Sequence, residues 1–300
     1  TESQPYRAPP MPSLAIARVM LRELFTFSQV EREPEPDLVM DDPDKVAAYT
    51  RAGRVDGVMA PVYLFHGANI LEILKPGDRA IDLACGPATQ LGMVAELAPE
   101  VNFTGIDLSD EMLGIAERYI QERGYDNVSL LRSDISRLQA LEDNSVDAVF
   151  STMALHHLPD PAHLEATFRE ISRVLRPGGG IYLADFARLR SPASIQYFAY
   201  QYADRQPELF TLDYLYSLKA AFCVADFRVA TAHLGGRARL YAPHVMPFML
   251  AVKSAARSTG QARLRPALAA IAAALPPNHK TDLKDLKTIF RLAGMKCGLL

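Results

Sequence analysis

The chain has 300 residues, a net charge of −3, 49% hydrophobic and 22% charged residues, an ordinary globular balance without the positive excess of a nucleic-acid binder. Cys85, Cys223 and Cys297 are odd in number and far apart, which argues against a disulfide framework or a metal site and predicts reduced thiols in the cytoplasm. No segment approaches the roughly 18 continuous apolar residues of a membrane span, and the N-terminal stretch lacks the basic start and apolar centre of a secretory signal.

The first helix candidate is SLAIARVMLRELFTF (13–27), followed by an acidic, proline-bearing break, EREPEPD (31–37), that reads as a linker or surface loop. Residues 42–74 read as helices interrupted near Gly57 and Pro61, and the turn KPGD (75–78) leads into a strand. From there strands alternate with helices. The strand candidates are RAIDLA, NFTGIDL, VSLLRSD, VDAVFSTM and GGIYLADF; the helices are Gln90–Leu97, Asp110–Gly124 and Pro161–Leu175, the last capped by Asp160. This pattern predicts parallel βαβ units in a doubly wound α/β sheet. After residue 186 comes a helical, aromatic-rich stretch, then two further strand candidates, FRVATAHL and MPFMLAVK, joined by GGRARLYAPHV. The tail from Ser254 is alanine-rich and basic, breaks at PPNHK, and ends in a short amphipathic helix.

Ligands of open α/β sheets bind at the carboxyl ends of the strands, beside the topological switch point. Here β-strand one runs into Asp82 and then A-C-G-P-A (84–88), and strand two ends in Asp107, 21 residues beyond Gly86 (107 − 86). An acidic residue at about that spacing accepts hydrogen bonds from both ribose hydroxyls. A dinucleotide needs G-x-G-x-x-G so that its pyrophosphate can lie on backbone at a helix N-terminus. This turn has one glycine, which suits an adenosyl cofactor without phosphate, S-adenosylmethionine, better than a dinucleotide.

Five segments then match one family in order and at its spacing: AIDLACGPATQL, VNFTGIDLSDEML, LLRSDISRL, DAVFSTMALHHL and FREISRVLRPGGGIYLADF. The chain resembles the class I S-adenosylmethionine-dependent methyltransferases, in the small-molecule group of the ubiquinone and menaquinone enzymes. The likeness covers residues 78–186 and, more loosely, reaches Lys253. It implies a Rossmann-like, mostly parallel seven-stranded sheet with flanking helices, an N-terminal helical extension (1–75), a methyltransferase domain (76–253) with a helical lid insert after strand five (187–222), and a basic helical tail (254–300). The family's turn carries glycines where this chain has Ala84 and Ala88, and alanine costs stability if those positions need positive φ.

Carried over by motif, the resemblance places Ala84 and Gly86 at the methionine part of the cofactor, with Asp82 among the cofactor contacts, Asp107 on the ribose, and Leu108 and Met112 near the adenine. Asp134 and Ile135 would meet the adenine edge, with Ser151 and Met153 at the floor near the sulfonium. Tyr49 would either close over the cofactor or pack its helix. Cys85 reads as structural. In LHHL, His156 is the first candidate for a general base, because imidazole titrates near physiological pH, while one of the pair serves loop packing. His66, His157, Tyr197, Tyr200 and Tyr241 are the candidate substrate contacts; rings with polar tips suit a flat or apolar acceptor. The expected reaction is methyl transfer to an O, N, S or C nucleophile of a small molecule, leaving S-adenosyl-L-homocysteine. A non-catalytic cofactor-binding partner or sensor is the alternative. No nucleic-acid or membrane partner is expected, and a homodimer is left open.

Overall fold

The alternation of apolar strands with amphipathic helices closes into a single seven-stranded sheet in the computed structural model, which describes residues 14–27, 30–35, 57–258 and 261–300. Helices α1 (Leu14–Phe25) and α2 (Ala60–Glu72) precede it. Pro61 lies in the first turn of α2, where its missing N–H costs nothing, so it starts a helix that the sequence pattern had it interrupting. Then follow β1 (Arg79–Leu83), α3 (Thr89–Leu97), β2 (Asn102–Asp107), α4 (Asp110–Arg123), β3 (Val128–Arg132) and β4 (Val146–Thr152). A single 3-10 turn, Leu155–His157, leads to α5 (Pro161–Val174) and β5 (Leu175–Phe186). The caps agree with the sequence: Ser109 accepts from the Met112 N–H at the start of α4, Gly124 ends it in the left-handed region, and Asp160 accepts from the His163 N–H before α5.

Beyond β5 lie α6 (Pro192–Tyr200), α7 (Glu208–Ala220), α8 (Val224–Ala232), β6 (Arg239–Tyr241), β7 (Met249–Lys253), α9 (Gln261–Ala274) and α10 (Pro277–Leu292). One strand expectation fails. FRVATAHL is the body of α8, because Asp226 accepts the Cys223 N–H in a capping box and Phe227 and Ala230 are buried at helical spacing. The sixth strand falls instead in the stretch read as its connection.

The sheet order is β3-β2-β1-β4-β5-β7-β6. The first five strands are parallel, and β7 runs antiparallel to both β5 and β6. The chain winds outward in one direction from β1 and in the other from β4, so a crevice opens above their carboxyl ends. Alternate residues feed the two faces: Ala80, Phe150 and Tyr182 pack toward α2 and α10, while Ile81, Val149 and Ile181 pack toward α5 and α8.

The basic tail is only half solvated. Lys280 and Lys284 face water, whereas Leu283, Leu286, Ile289 and Phe290 join the core, with Phe290 stacked on Phe65 at 5.0 Å. Lys253 Nζ donates to Asn69 at 2.7 Å and to Glu72, and Glu72 also accepts the Gly298 N–H, tying the C-terminal end to α2.

Candidate active site

The turn after β1 carries the local strain. Ala84 and Ala88 adopt φ of 55° and 60°, and Gly86 has φ of 53°. Left-handed backbone is where a Cβ is unfavourable, so both alanines hold a conformation that glycine adopts more cheaply. A Cβ built on Gly86 would meet nothing within 4 Å, so that position faces open space. Cys85 turns the other way. A Cβ on Gly105 would lie 2.8 Å from Cys85 Sγ, so strand β2 needs glycine there for the thiol to pack, and burial pushes the thiol well above its ordinary range. Its structural reading stands on that contact.

Asp107 clamps the turn to the end of β2: one carboxylate oxygen accepts from the Gly86 N–H at 2.8 Å and the other from the Ser109 N–H at 2.9 Å. Burial raises its pKa against those two bonds, and burial followed by the Asp107 charge raises that of Asp82. Asp134 Oδ1 accepts from both the N–H and the hydroxyl of Ser136, each at 2.8 Å.

A cleft of about 180 Å³ lies over these groups. Asp82, Ala84, Gly86, Asp107, Leu108 and Met112 border it, as do Asp134, Ile135 and Met153. Ser151 does not. Its hydroxyl donates to the Leu83 carbonyl at 2.7 Å and the residue is buried between β1 and β4. Tyr49 lies outside the described residues. Among the lining residues not read as site residues in the sequence are Tyr63 and Gln90. Gln90 Nε2 donates to the Tyr63 carbonyl, while its buried Oε1 has no hydrogen-bond partner. Tyr63 comes from α2, before the matched segments, and Gln90 sits in the first turn of α3, past the turn whose backbone carried the reading.

A second cavity of about 400 Å³ adjoins the first, bordered by Phe186, Phe198, Phe248, Tyr197 and Tyr214, with Leu286 and Ile289 of α10 on one side. Phe198 and Phe248 stack at 3.8 Å. Asp213, Asp282, Asp285 and Arg205 also border it, and Tyr202 donates to Asp282 at 2.8 Å. Met153, at φ of 53°, and His157 border both cavities.

Three of the expected substrate contacts lie elsewhere. His66 is fully buried on α2, bonded through Nδ1 to the Tyr182 hydroxyl at 2.7 Å, and burial lowers its pKa to about 3. Tyr200 is 50% exposed at the end of α6, and Tyr241 lies on edge strand β6 beside the Arg239 guanidinium; neither borders a cavity. His156 borders the larger cavity but is pinned: its N–H and its Nδ1 both meet the Asp185 carboxylate, at 2.9 and 2.7 Å, and its Nε2 is buried without a hydrogen bond, 3.9 Å from Glu35 Oε1. His157 keeps 29% side-chain exposure and bonds through Nδ1 to Glu35 at 2.9 Å.

Residues 30–35, from the acidic break read as a linker or surface loop, form a strap. Arg32 donates to the carbonyls of His156, Leu158, Pro159 and Ala220 at 2.6–3.0 Å and lies 4.0 Å over the Phe222 ring. Glu35 accepts from the Ser217 hydroxyl at 2.9 Å besides meeting His157. Burial pushes Glu35 upward, but the bond to His157 and that ring's charge outweigh it and bring the carboxylate to about 2; the same pairing raises His157 against its burial.

The cleft suits an adenosyl ligand without phosphate. Asp82, Asp107 and the unpartnered Gln90 Oε1 offer acceptors for hydroxyls and a cation, and the turn lacks the second and third glycines that a pyrophosphate needs.

Residues 80–179 match the model of a family described as a methyltransferase domain. Over 127 residues the chain is 35% identical to the 27-O-demethylrifamycin SV methyltransferase of Amycolatopsis mediterranei, covering 41% of this chain and 44% of that protein. It is 32% identical over 126 residues to the demethylmenaquinone methyltransferase of Listeria welshimeri, covering 42% of this chain and 52% of that protein. The chain thus spans about half the length of these curated relatives. A solved structure of a SAM-dependent methyltransferase from Aquifex aeolicus shares the fold, with a TM-score of 0.50 and 18% identity over 71% of this chain and 97% of that one.

Proposed function

We propose, from the premise that this chain carries a class I S-adenosylmethionine-dependent methyltransferase domain, that the whole protein transfers a methyl group to a flat or largely apolar small molecule held in the larger cavity. The observation that carries the reading is the junction: a polar cofactor cleft and an aromatic chamber meet at Met153 and His157. When bound, S-adenosylmethionine supplies a methyl group on a sulfonium cation.

The chain's residues do the rest. Asp107 receives the ribose hydroxyls with its remaining lone pairs while it holds the turn closed. Gln90 Oε1 and Asp82 offer acceptors to the cationic end of the ligand. The rings of Phe186, Phe198 and Phe248 orient the acceptor and exclude water, and because the leaving group is neutral, positioning and desolvation can supply much of the rate. Residues 76–253 form the catalytic unit in this reading. The insert after β5 and the tail wall the chamber, with the insert as its lid, and the strap braces the histidine turn behind it. The two proteins named above act on a rifamycin and on demethylmenaquinone, both bulky acceptors, which supports a chamber of this size and composition. Three free cysteines support a reducing, cytoplasmic setting. Among the described residues no helix is long and apolar enough to cross a membrane.

The test has two parts. Calorimetry with S-adenosylhomocysteine should show binding at one site. Incubation with labelled S-adenosylmethionine and a panel of demethylmenaquinone, naphthols and simple amines should then label the aromatic acceptors. Binding without labelling of any acceptor, including those in a cell extract, would turn the reading to a cofactor-binding protein without catalysis.

A further inference from the structure

The candidate base moves by one residue. A group that takes the acceptor's proton must stand where the methyl group arrives, within hydrogen-bond reach of the reacting atom. His156 does not stand there. It borders the chamber but not the cleft, both its backbone N–H and its Nδ1 are held by Asp185, and its remaining nitrogen is buried 3.9 Å from Glu35 Oε1, facing the strap rather than the junction. Its ring lies 4.3 Å from that of His157 and backs it.

His157 borders both cavities and keeps an exposed edge. With Nδ1 turned to the Glu35 carboxylate, the neutral ring carries its proton on Nδ1 and its lone pair on Nε2, the arrangement by which a carboxylate fixes the tautomer and orientation of a catalytic imidazole. Glu35 is itself fixed. Ser217 of α7 holds its other oxygen, and Arg32, three residues earlier, is bound to the carbonyls of the histidine turn. The strap therefore brings to the site a carboxylate that lies outside the matched family segment.

We infer that His157 is the general base of this protein, with Glu35 as its positioning carboxylate, and that the acceptor atom is the oxygen of a hydroxyl group. The inference rests on the methyl-transfer reading and narrows it. A neutral amine or a thioether needs no base before attack, whereas a hydroxyl must lose its proton as it reacts. The hydroxyl oxygen forms the new bond to the methyl carbon while the carbon–sulfur bond breaks and its electron pair stays on sulfur. The hydroxyl proton passes to His157 Nε2, leaving an imidazolium paired with Glu35, which then returns the proton to water. The wider chamber agrees with a bulky alcohol or phenol, because rings make much of its wall; Asp213 of α7 and Asp185 of β5 add their charges to that of Glu35 in holding the His157 proton.

The experiment uses the full chain, labelled with 15N at histidine and saturated with S-adenosylhomocysteine. Ring nitrogen shifts followed against pH, with the signal assigned through His157→Gln, should show Nδ1 protonated in the neutral form and a midpoint above 6.5. Glu35→Gln should lower that midpoint by about one pH unit, a tenfold change in proton affinity. With a naphthol as acceptor, His157→Gln should reduce kcat by about 100-fold or more while changing cofactor affinity less than about threefold. The Glu35→Gln rate profile should move to lower pH together with the ring. A neutral ring protonated on Nε2, or a midpoint indifferent to Glu35, overturns the assignment. So does loss of turnover on adding EDTA with recovery on Zn²⁺, because Glu35, His156 and His157 offer ligand atoms within 4.8 Å of one another and would then be a metal site. Failure to bind S-adenosylhomocysteine would instead remove the methyl-transfer reading, which the same titration in the free protein keeps separate from the Glu35–His157 pairing.

Discussion

The smaller cleft, proposed above for the cofactor, and the larger chamber, proposed for the acceptor, are neighbours of opposite construction. Apart from Tyr63, the cleft is lined from a single stretch between Asp82 and His163, whose polar groups are tied by short-range bonds such as Asp107 to Gly86 and Asp134 to Ser136. The chamber draws its lining from Ile16 to Ile289, taking α1, the insert helices and α10, and its polar groups pair across the chain, as Tyr202 does with Asp282. A cofactor common to many reactions needs one local cradle. An acceptor peculiar to one reaction is enclosed by whatever segments the particular chain adds around it. Function at the cleft should therefore break by residue, and function at the chamber by segment.

The largest effect expected lies where the tail is tied to α2, outside both cavities. Lys253→Met leaves Glu72, only 3% exposed, as an uncompensated buried charge beneath the tail and should cost about 3–5 kcal/mol in denaturant unfolding. A loss below about 1 kcal/mol would mean that the tail is not held by this pair. Asp107→Ala strikes the cleft instead. It removes an acceptor for two backbone donors and for the ribose, and should weaken S-adenosylhomocysteine binding by about 10- to 100-fold in calorimetry. If naphthol KM rose while the cofactor Kd held, the division between the two cavities would be misplaced.

The junction supplies a pH-dependent test. Glu35 is depressed from 4.5 to about 2, so its contribution is present above 4.5 and fades as pH falls toward 2. His157 is raised above 6.5, so its contribution is complete below 6.5 and fades as pH rises through the folded value. The stability difference between the native chain and Glu35→Gln should thus peak between about pH 4.5 and 6.5, at about 2 kcal/mol, and shrink on either side. A difference flat from pH 4 to 9 would show that the strap is held by Arg32 and by Glu33 on Lys219, without the Glu35–His157 pair. The smallest effect concerns the strained turn. Ala88→Gly relieves a residue held at φ of 60° and should stabilise the protein by about 1 kcal/mol in thermal unfolding with cofactor affinity unchanged. A fall in stability would mean that the Ala88 methyl, fully buried, contributes more by packing than its backbone loses.

What the sequence by itself determined is what depends on short separations. Strand and helix periods, the cap at Asp160, the switch from β1 to α3 through a one-glycine turn, and the 21-residue spacing from Gly86 to Asp107 are all read along the chain, and they place cleft residues through the backbones of successive βα units. Even there a side chain could turn away: Ser151 spends its hydroxyl on Leu83, a choice made by the neighbouring strand. The segment FRVATAHL misled because β-branched alternation competes with a weak helix, and the capping Asp226 together with burial of Phe227 decided it.

Only the tertiary structure chose between adjacent histidines. The turn Leu155–His157 presents both rings, and the difference lies in partners far away in sequence, Asp185 for His156 and Glu35 for His157. Likewise His66 became core because α2 is covered by Phe290 from the other end of the chain, and the basic tail became a chamber wall because its apolar face had α2 to cover. Hydrophobic period reveals that a face is buried, but not against what, and the partner decides whether a polar group on that face serves chemistry or packing.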